Sequence, residues 1–177
     1  MKYLDRPLAR ISKAALTFTV DGGCEFGGGV SCHGGNTSAP SQNFLGFMAY
    51  HRAWFDRNRL ALTVGGGAIR NPGRYLVLLP PINGATASTG TPYFTTNPGD
   101  AYAAWDAQTT FDVMPSEFLT MRAEFTHRAA SAPYFAGPGG VTPPGGNRGA
   151  PGSIVDGWAP DLRKTENRVT FALLLKM

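Results

Sequence analysis

The stretch 118–128, FLTMRAEFTHR, constrains the fold more than any other. Leu119, Met121, Ala123 and Phe125 occupy one parity, and Thr120, Arg122, Glu124, Thr126 and Arg128 the other. Only a β-strand turns such period-two alternation into one apolar face and one charged face. Two architectures accept a strand of this kind. In a soluble sandwich the charged face meets bulk water. In a transmembrane barrel the apolar face meets lipid and the charged face lines a watery lumen.

The same pattern, followed along the chain, predicts strands at about 11–21, 43–55, 59–69, 103–113, 118–128 and 164–177. The first carries Ala14, Leu16, Phe18 and Val20 against Lys13, Thr17, Thr19 and Asp21. The third sets Leu60, Leu62, Val64, Gly66 and Ala68 against Ala61, Thr63, Gly65 and Gly67. The fourth sets Trp105, Ala107, Thr109, Phe111 and Val113 against Asp106, Gln108, Thr110 and Asp112. The last sets Val169, Phe171, Leu173, Leu175 and Met177 against Glu166, Arg168, Thr170 and Lys176, with Leu174 an apolar intruder on the polar side. The second, NFLGFMAYHRAWF, is aromatic on both parities, and its faces cannot be assigned. The expectation is an all-β fold: an antiparallel up-and-down meander of about six strands, a partial transmembrane barrel forming a single segment over 1–177.

Connection lengths sharpen the choice. Asp56, Arg57 and Asn58 make one tight reversal, and Met114, Pro115, Ser116 and Glu117 another. The other links are long and rich in Gly and Pro, so all the long loops fall at one end of the sheet, as in outer-membrane barrels. Trp54, Phe55, Phe111 and Phe118 near the short-turn end fit an interfacial girdle. The connection of about thirty residues after the third strand exceeds most links inside compact domains. Its apolar run, Tyr75, Leu76, Val77, Leu78 and Leu79, capped by Pro80 and Pro81, is a possible constriction loop folded into a lumen. The run GPGGVTPPGGNRGAPG in the last long loop holds too many Gly and Pro residues for regular structure.

Bulk properties exclude several classes. The 177 residues suffice for one domain, and 23 Gly, 14 Pro and 16% charged residues indicate turns rather than helices. The net charge of +4 is spread over the strands, not gathered into a run, so no nucleic-acid partner is expected. No window is apolar for about 18 residues, which excludes a transmembrane helix and leaves a barrel untouched. Cys24 and Cys32, in CEFGGGVSC, read either as a loop disulfide, which needs an oxidising compartment, or as two small unpaired residues. His33, His51 and His127 lack metal-ligand spacing, so neither a metal nor another cofactor is expected. No GxSxG elbow or phosphate-binding glycine motif is present, and Asp106, Asp112 and Glu124 as paired hydrolytic carboxylates have nothing to fix their separation. The chain is not expected to be an enzyme.

FDVMPSEFLTMRAEFTHRAASAPYFAGPGGVTPPGGN, with the closing DLRKTENRVTFALLLKM, resembles the carboxy-terminal portion of the OmpL-like β-barrel porins of Gram-negative outer membranes. NFLGFMAYHRAWFDRNRLALTVGGG, followed by NPGRYLVLLPP, is similar to the preceding hairpin of that family. The resemblance covers most of the chain from about residue 11 and is most specific over 111–146. It implies a porin allowing passive diffusion of small solutes or ions, in contact with outer-membrane lipid. Two features depart from the family: the first twenty residues make a poor export signal, and the terminal residue is Met177 where such proteins often end in Phe.

On a barrel reading, Asp106, Gln108, Asp112, Arg122, Glu124, Arg128, Glu166, Arg168 and Lys176 line the pore. Their charges either set up a transverse field or pair across strands and fill the interior. Six strands are fewer than the eight of the smallest single-chain bacterial barrels, so upstream strands or other copies of the chain are the expected partners that close it. The rival is a soluble β-sandwich module binding carbohydrate or a protein partner through its long loops.

Overall fold

The structure is a computed structural model, and it describes residues 2–8, 10–27, 31–34, 41–72, 101–146 and 153–177, with side chains from residue 10 onward. Among the described residues nine strands appear in chain order: β1 (Lys2–Leu8), β2 (Ile11–Cys24), β3 (Asn43–Phe55), β4 (Leu60–Asn71), β5 (Tyr102–Ser116), β6 (Leu119–Ala130), β7 (Phe135–Ala136), β8 (Leu162–Arg163) and β9 (Thr165–Leu175). Seven of them form one antiparallel sheet in the order β1-β2-β3-β4-β5-β6-β9, while β7 and β8 pair as a short ladder. The all-β up-and-down meander is as expected, and among the described residues it does not close on itself.

All six expected strands are present, and an additional one precedes them. The opening residues, read above only as a poor export signal, pair antiparallel with β2 from Lys2↔Leu16 to Leu8↔Ile11. Pro7 interrupts the donor row there, and the ladder slips between Asp5 and Leu8. β2 and β4 run three and two residues past their expected ends toward the long loops, β5 runs three residues past its expected end into Met114–Ser116, expected as turn, and β9 stops at Leu175 and leaves Lys176 and Met177 outside the ladder.

β1–β2 adds a third short turn at the end where β3–β4 and β5–β6 already turn tightly. Short and long connections therefore alternate along the whole meander. In the β3–β4 turn Asp56, Arg57 and Asn58 all have positive φ (45°, 54° and 68°), a conformation that Asp and Asn tolerate better than most residues. The turn is held by Arg59 N–H donating to the Asp56 carbonyl (3.0 Å) and by Ser12 Oγ donating to Asn58 Oδ1 (2.8 Å).

The register resolves the faces of β3. Leu45, Phe47, Ala49, His51 and Ala53 pair with the apolar parity of β2 and β4, while Met48, Tyr50, Arg52 and Trp54 pair with Thr19, Thr17, Ala15 and Lys13. Trp54 therefore lies on the polar face, with the Lys13 ammonium 5.3 Å and the Arg52 guanidinium 4.9 Å from its ring, and is not a girdle residue. The Tyr50 ring lies over Gly65 on β4, where a Cβ would collide with it and with the Ala49 carbonyl, so the strand needs glycine there.

Candidate functional site

One register line, Phe18–Ala49–Gly66–Ala107–His127–Asn167, crosses five ladders. Every position on it belongs to the outer face, and the next line over, Thr17–Tyr50–Gly65–Gln108–Thr126–Arg168, belongs wholly to the inner one. Successive ladders thus add apolar parity to apolar parity. Leu16, Phe18, Val20, Leu45, Phe47, Trp105, Phe111, Phe125 and Phe171 are exposed, Phe171 to 79%. Asp112 and Thr110, on the polar side, are buried, and Asp112 has no exposed surface at all. This inverts the usual arrangement of a water-soluble core.

The inner face carries eight of the nine predicted pore-lining residues in the ladder: Asp106, Gln108, Asp112, Arg122, Glu124, Arg128, Glu166 and Arg168. Lys176 lies beyond the end of β9, exposed at the short-turn end. Arg52, which the ambiguous pattern of β3 concealed, joins them. Its Nη2 reaches over β4 to Asp112 Oδ2 at 2.6 Å, above the fully buried Ala61, and its Nη1 donates to Thr63 Oγ1 at 3.1 Å. Arg122 meets the same carboxylate from the other side in a two-point fork, Nε–Oδ1 2.7 Å and Nη2–Oδ2 3.1 Å. A carboxylate stripped of water requires this compensation, and two guanidiniums supply it. Further up the sheet Arg128 pairs with Glu166, Thr110 Oγ1 donates to Glu124 Oε2 (3.3 Å), and Gln108 Nε2 donates to Thr110 Oγ1 (3.3 Å). Of the two electrostatic expectations, cross-strand pairing describes Asp112, Arg122, Arg128 and Glu166.

The last long loop folds onto this face. Tyr134 N–H donates to the Arg163 carbonyl (2.8 Å), which starts the β7–β8 ladder inside the Gly/Pro-rich segment. Phe135 is buried beneath the Arg128 guanidinium (5.2 Å from the ring centre), and Tyr134 stands 5.5 Å from the Tyr102 ring. Burial pushes the Tyr134 phenol above its ordinary value, although Arg128 pulls the other way. Asp161 clamps the loop. It accepts from the Gly139 N–H (3.0 Å) and is paired to Arg163 (2.6 Å), while its backbone bonds both Gly137 and Gly140 (2.7 and 2.9 Å). A Cβ at Gly137 would run into the carboxylate. Arg163 first, and then the Gly139 amide, hold the Asp161 carboxyl below the usual carboxylate range. The predicted constriction run, Tyr75 to Leu79, lies outside the described residues. In the adjacent first long loop, Cys24 and Cys32 are joined as a disulfide with their Cα atoms 5.2 Å apart.

Tyr102, Tyr134, Phe135 and Arg52 were not singled out by sequence. The signal for Arg52 was its parity with Tyr50 and Met48, legible only once a neighbouring strand fixes the register. Among the described residues no group of three or more His, Cys, Asp or Glu is placed to hold a metal, and no helix is long and apolar enough to cross a membrane, which says nothing of a barrel. No family model matches the chain, nor does any curated protein or solved structure.

Proposed function

We propose that this chain is part of an outer-membrane β-barrel porin of a Gram-negative bacterium, through which small solutes or ions diffuse passively. One observation carries the reading: the exposed apolar band runs obliquely across the sheet. In β2 it is centred on Phe18, with Leu16 and Val20 either side. The register line from Phe18 arrives at Asn167, yet the apolar residues of β9 are Val169, Phe171, Leu173 and Leu175, centred about five residues farther toward the short-turn end. A slip of about one residue per strand, at ~3.4 Å rise and ~4.8 Å spacing, tilts the strands by about 35° to the normal of the band. Membrane barrels tilt by about 35–45°.

The height of the band agrees. At that slip its midline passes near Phe18, Val64, Ala123 and Phe171, and five residues of tilted strand span ~14 Å. Trp105 lies about that far from the midline toward the long loops, and Phe55 about that far toward the short turns, with Phe118 in the β5–β6 turn at the same end. The aromatic residues therefore bracket ~28 Å, close to the hydrocarbon thickness of a bilayer. Two polar side chains of the described residues interrupt the outer face near the midline: His51, between Leu16 and Val64, and Thr109, between Val64 and Phe125. A sandwich would lay a second sheet over Phe125, Phe171 and Leu173, and none of the described residues does so.

Free strand edges in hydrocarbon cost several kcal/mol for each unpaired amide or carbonyl. Among the described residues the outer edges of β1 and β9 have no partner strand, so on this reading they take further strands, from upstream sequence or from other copies of the chain, when the barrel stands in the membrane. The test is refolding into phospholipid vesicles and detergent micelles, followed by heat-modifiable migration on a denaturing gel and ion conductance across planar bilayers. Vesicle insertion with conductance supports the proposal. A monomer with a full β-sheet spectrum in detergent-free buffer that ignores vesicles would refute it.

A further inference from the structure

A cavity of about 500 Å³ opens on the inner face near the long-loop end, and nothing in the diffusion of small solutes requires it. Its walls include four aromatic rings, Phe44, Tyr102, Tyr134 and Phe135, together with two carboxylates, Asp21 and Asp106. The rings come from three separate places: the start of β3, the start of β5, and the inward-folded loop. The fold thus assembles an aromatic enclosure from segments far apart in sequence, where a plain water-filled mouth would need none.

Charge decides what fits. Arg128, the cation in the wall, is paired with Glu166 and lies over the Phe135 ring, so its charge is spent within the protein. Asp21 and Asp106 take part in no ion pair among the described residues. Asp106 Oδ1 accepts from the Gly67 N–H at 2.6 Å, which fixes the carboxylate at the wall without neutralising it. The enclosure therefore presents aromatic faces and two uncompensated negative charges. Ring faces and carboxylates both attract cations. An anion would meet repulsion, and a neutral polyol would leave the two charges unanswered.

We infer that this cavity is a binding site for a small organic cation, an ammonium group carrying an apolar body, at the loop-side mouth of the lumen. The inference rests on the porin reading for its setting, but binding is measured separately from insertion. The full chain is refolded into micelles, its heat-modifiable migration is checked, and choline is titrated by calorimetry alongside its uncharged carbon isostere, a dimethylbutanol. Saturable choline binding, about tenfold or more tighter than that of the isostere, is the expected result. Asp21→Asn together with Asp106→Asn keeps the acceptor for Gly67 and is expected to abolish the preference while the gel shift persists. Equal binding of the two probes, no saturation by choline, or an unchanged preference in the double variant would overturn the inference. A chain that inserts into vesicles yet gives any of those results refutes the site and leaves the barrel standing.

Discussion

Arginine placed along the outer face reads depth directly. Lys or Arg on the lipid side of a barrel costs about 2–4 kcal/mol at the bilayer midplane and about 0–1 near the interfaces. With a slip of about one residue per strand, Phe171 lies within ~3 Å of the midline and Asn167 ~14 Å from it, although Asn167 shares its register line with Phe18. Phe171→Arg is therefore expected to cost about 2–4 kcal/mol more than Phe171→Ala, a reference that removes the ring without adding charge. Phe18→Arg should behave likewise against Phe18→Ala, and Asn167→Arg should cost at most about 1 kcal/mol. The assay is urea unfolding of the vesicle-refolded protein, followed by tryptophan fluorescence. If Asn167→Arg proves as costly as Phe18→Arg, depth follows the register and the oblique band means nothing. If Phe171→Arg is harmless, the outer face does not meet lipid.

Three further outcomes are expected. Asp112→Ala leaves Arg52 and Arg122 without their shared counterion; because those side chains keep 23% and 32% exposure to water, the loss in the same assay should be about 2 kcal/mol, below the 3–5 of a fully buried break. His51→Leu should raise the urea midpoint if that position faces hydrocarbon, and a fall would place His51 against a polar partner. For Asp161, whose folded carboxyl is held below its ordinary value, the clamp contributes fully above the unfolded value of about 4 and is lost as pH falls through the lower folded value. Protease cleavage within 131–163 should therefore be unchanged between pH 7 and pH 5 and rise only below about pH 4 with an acid-active protease, whereas Asp161→Asn should raise it between pH 5 and pH 7 and remove the rise at lower pH.

Strand existence and facing were legible wherever one side chain in two was apolar. FLTMRAEFTHR and RVTFALLLKM settle their own faces, and even Leu174 falls on the polar side as its parity requires, opposite Thr120. β3 was opaque because its inner side chains, Met48, Tyr50 and Trp54, are as apolar as its outer ones. Facing there is set by the ladder with β2, which is not local information. β1 was missed for a related reason: seven residues holding Asp5, Arg6 and Pro7 carry no alternation, and the segment becomes a strand by pairing with β2. The aromatic enclosure was invisible because its rings are scattered from Phe44 to Phe135 and meet only through topology.

The inner charges, read together, form an axial arrangement rather than the transverse one that alternating strands suggest. Near the short turns, Lys13, Arg52 and Arg122 face Asp112 and Glu124, an excess of one positive charge. Near the long loops, Asp21, Asp106 and Glu166 face Arg128, an excess of two negative ones. Arg168 lies on the same side as Arg128 and reduces that excess to one, so the inner charges of β2 to β6 and β9 sum to zero. On the porin reading proposed above, a lumen with no net charge does little to select ions by sign along its whole length, yet a negative mouth raises the local concentration of cations and a positive base slows their exit. The paired residues cannot be relocated one at a time, since each is the counterion of a neighbour on the next strand. Asp21 and Asp106 form no ion pair among the described residues, so on the porin reading proposed above the mouth, rather than the ion-paired base, is where solute preference is set.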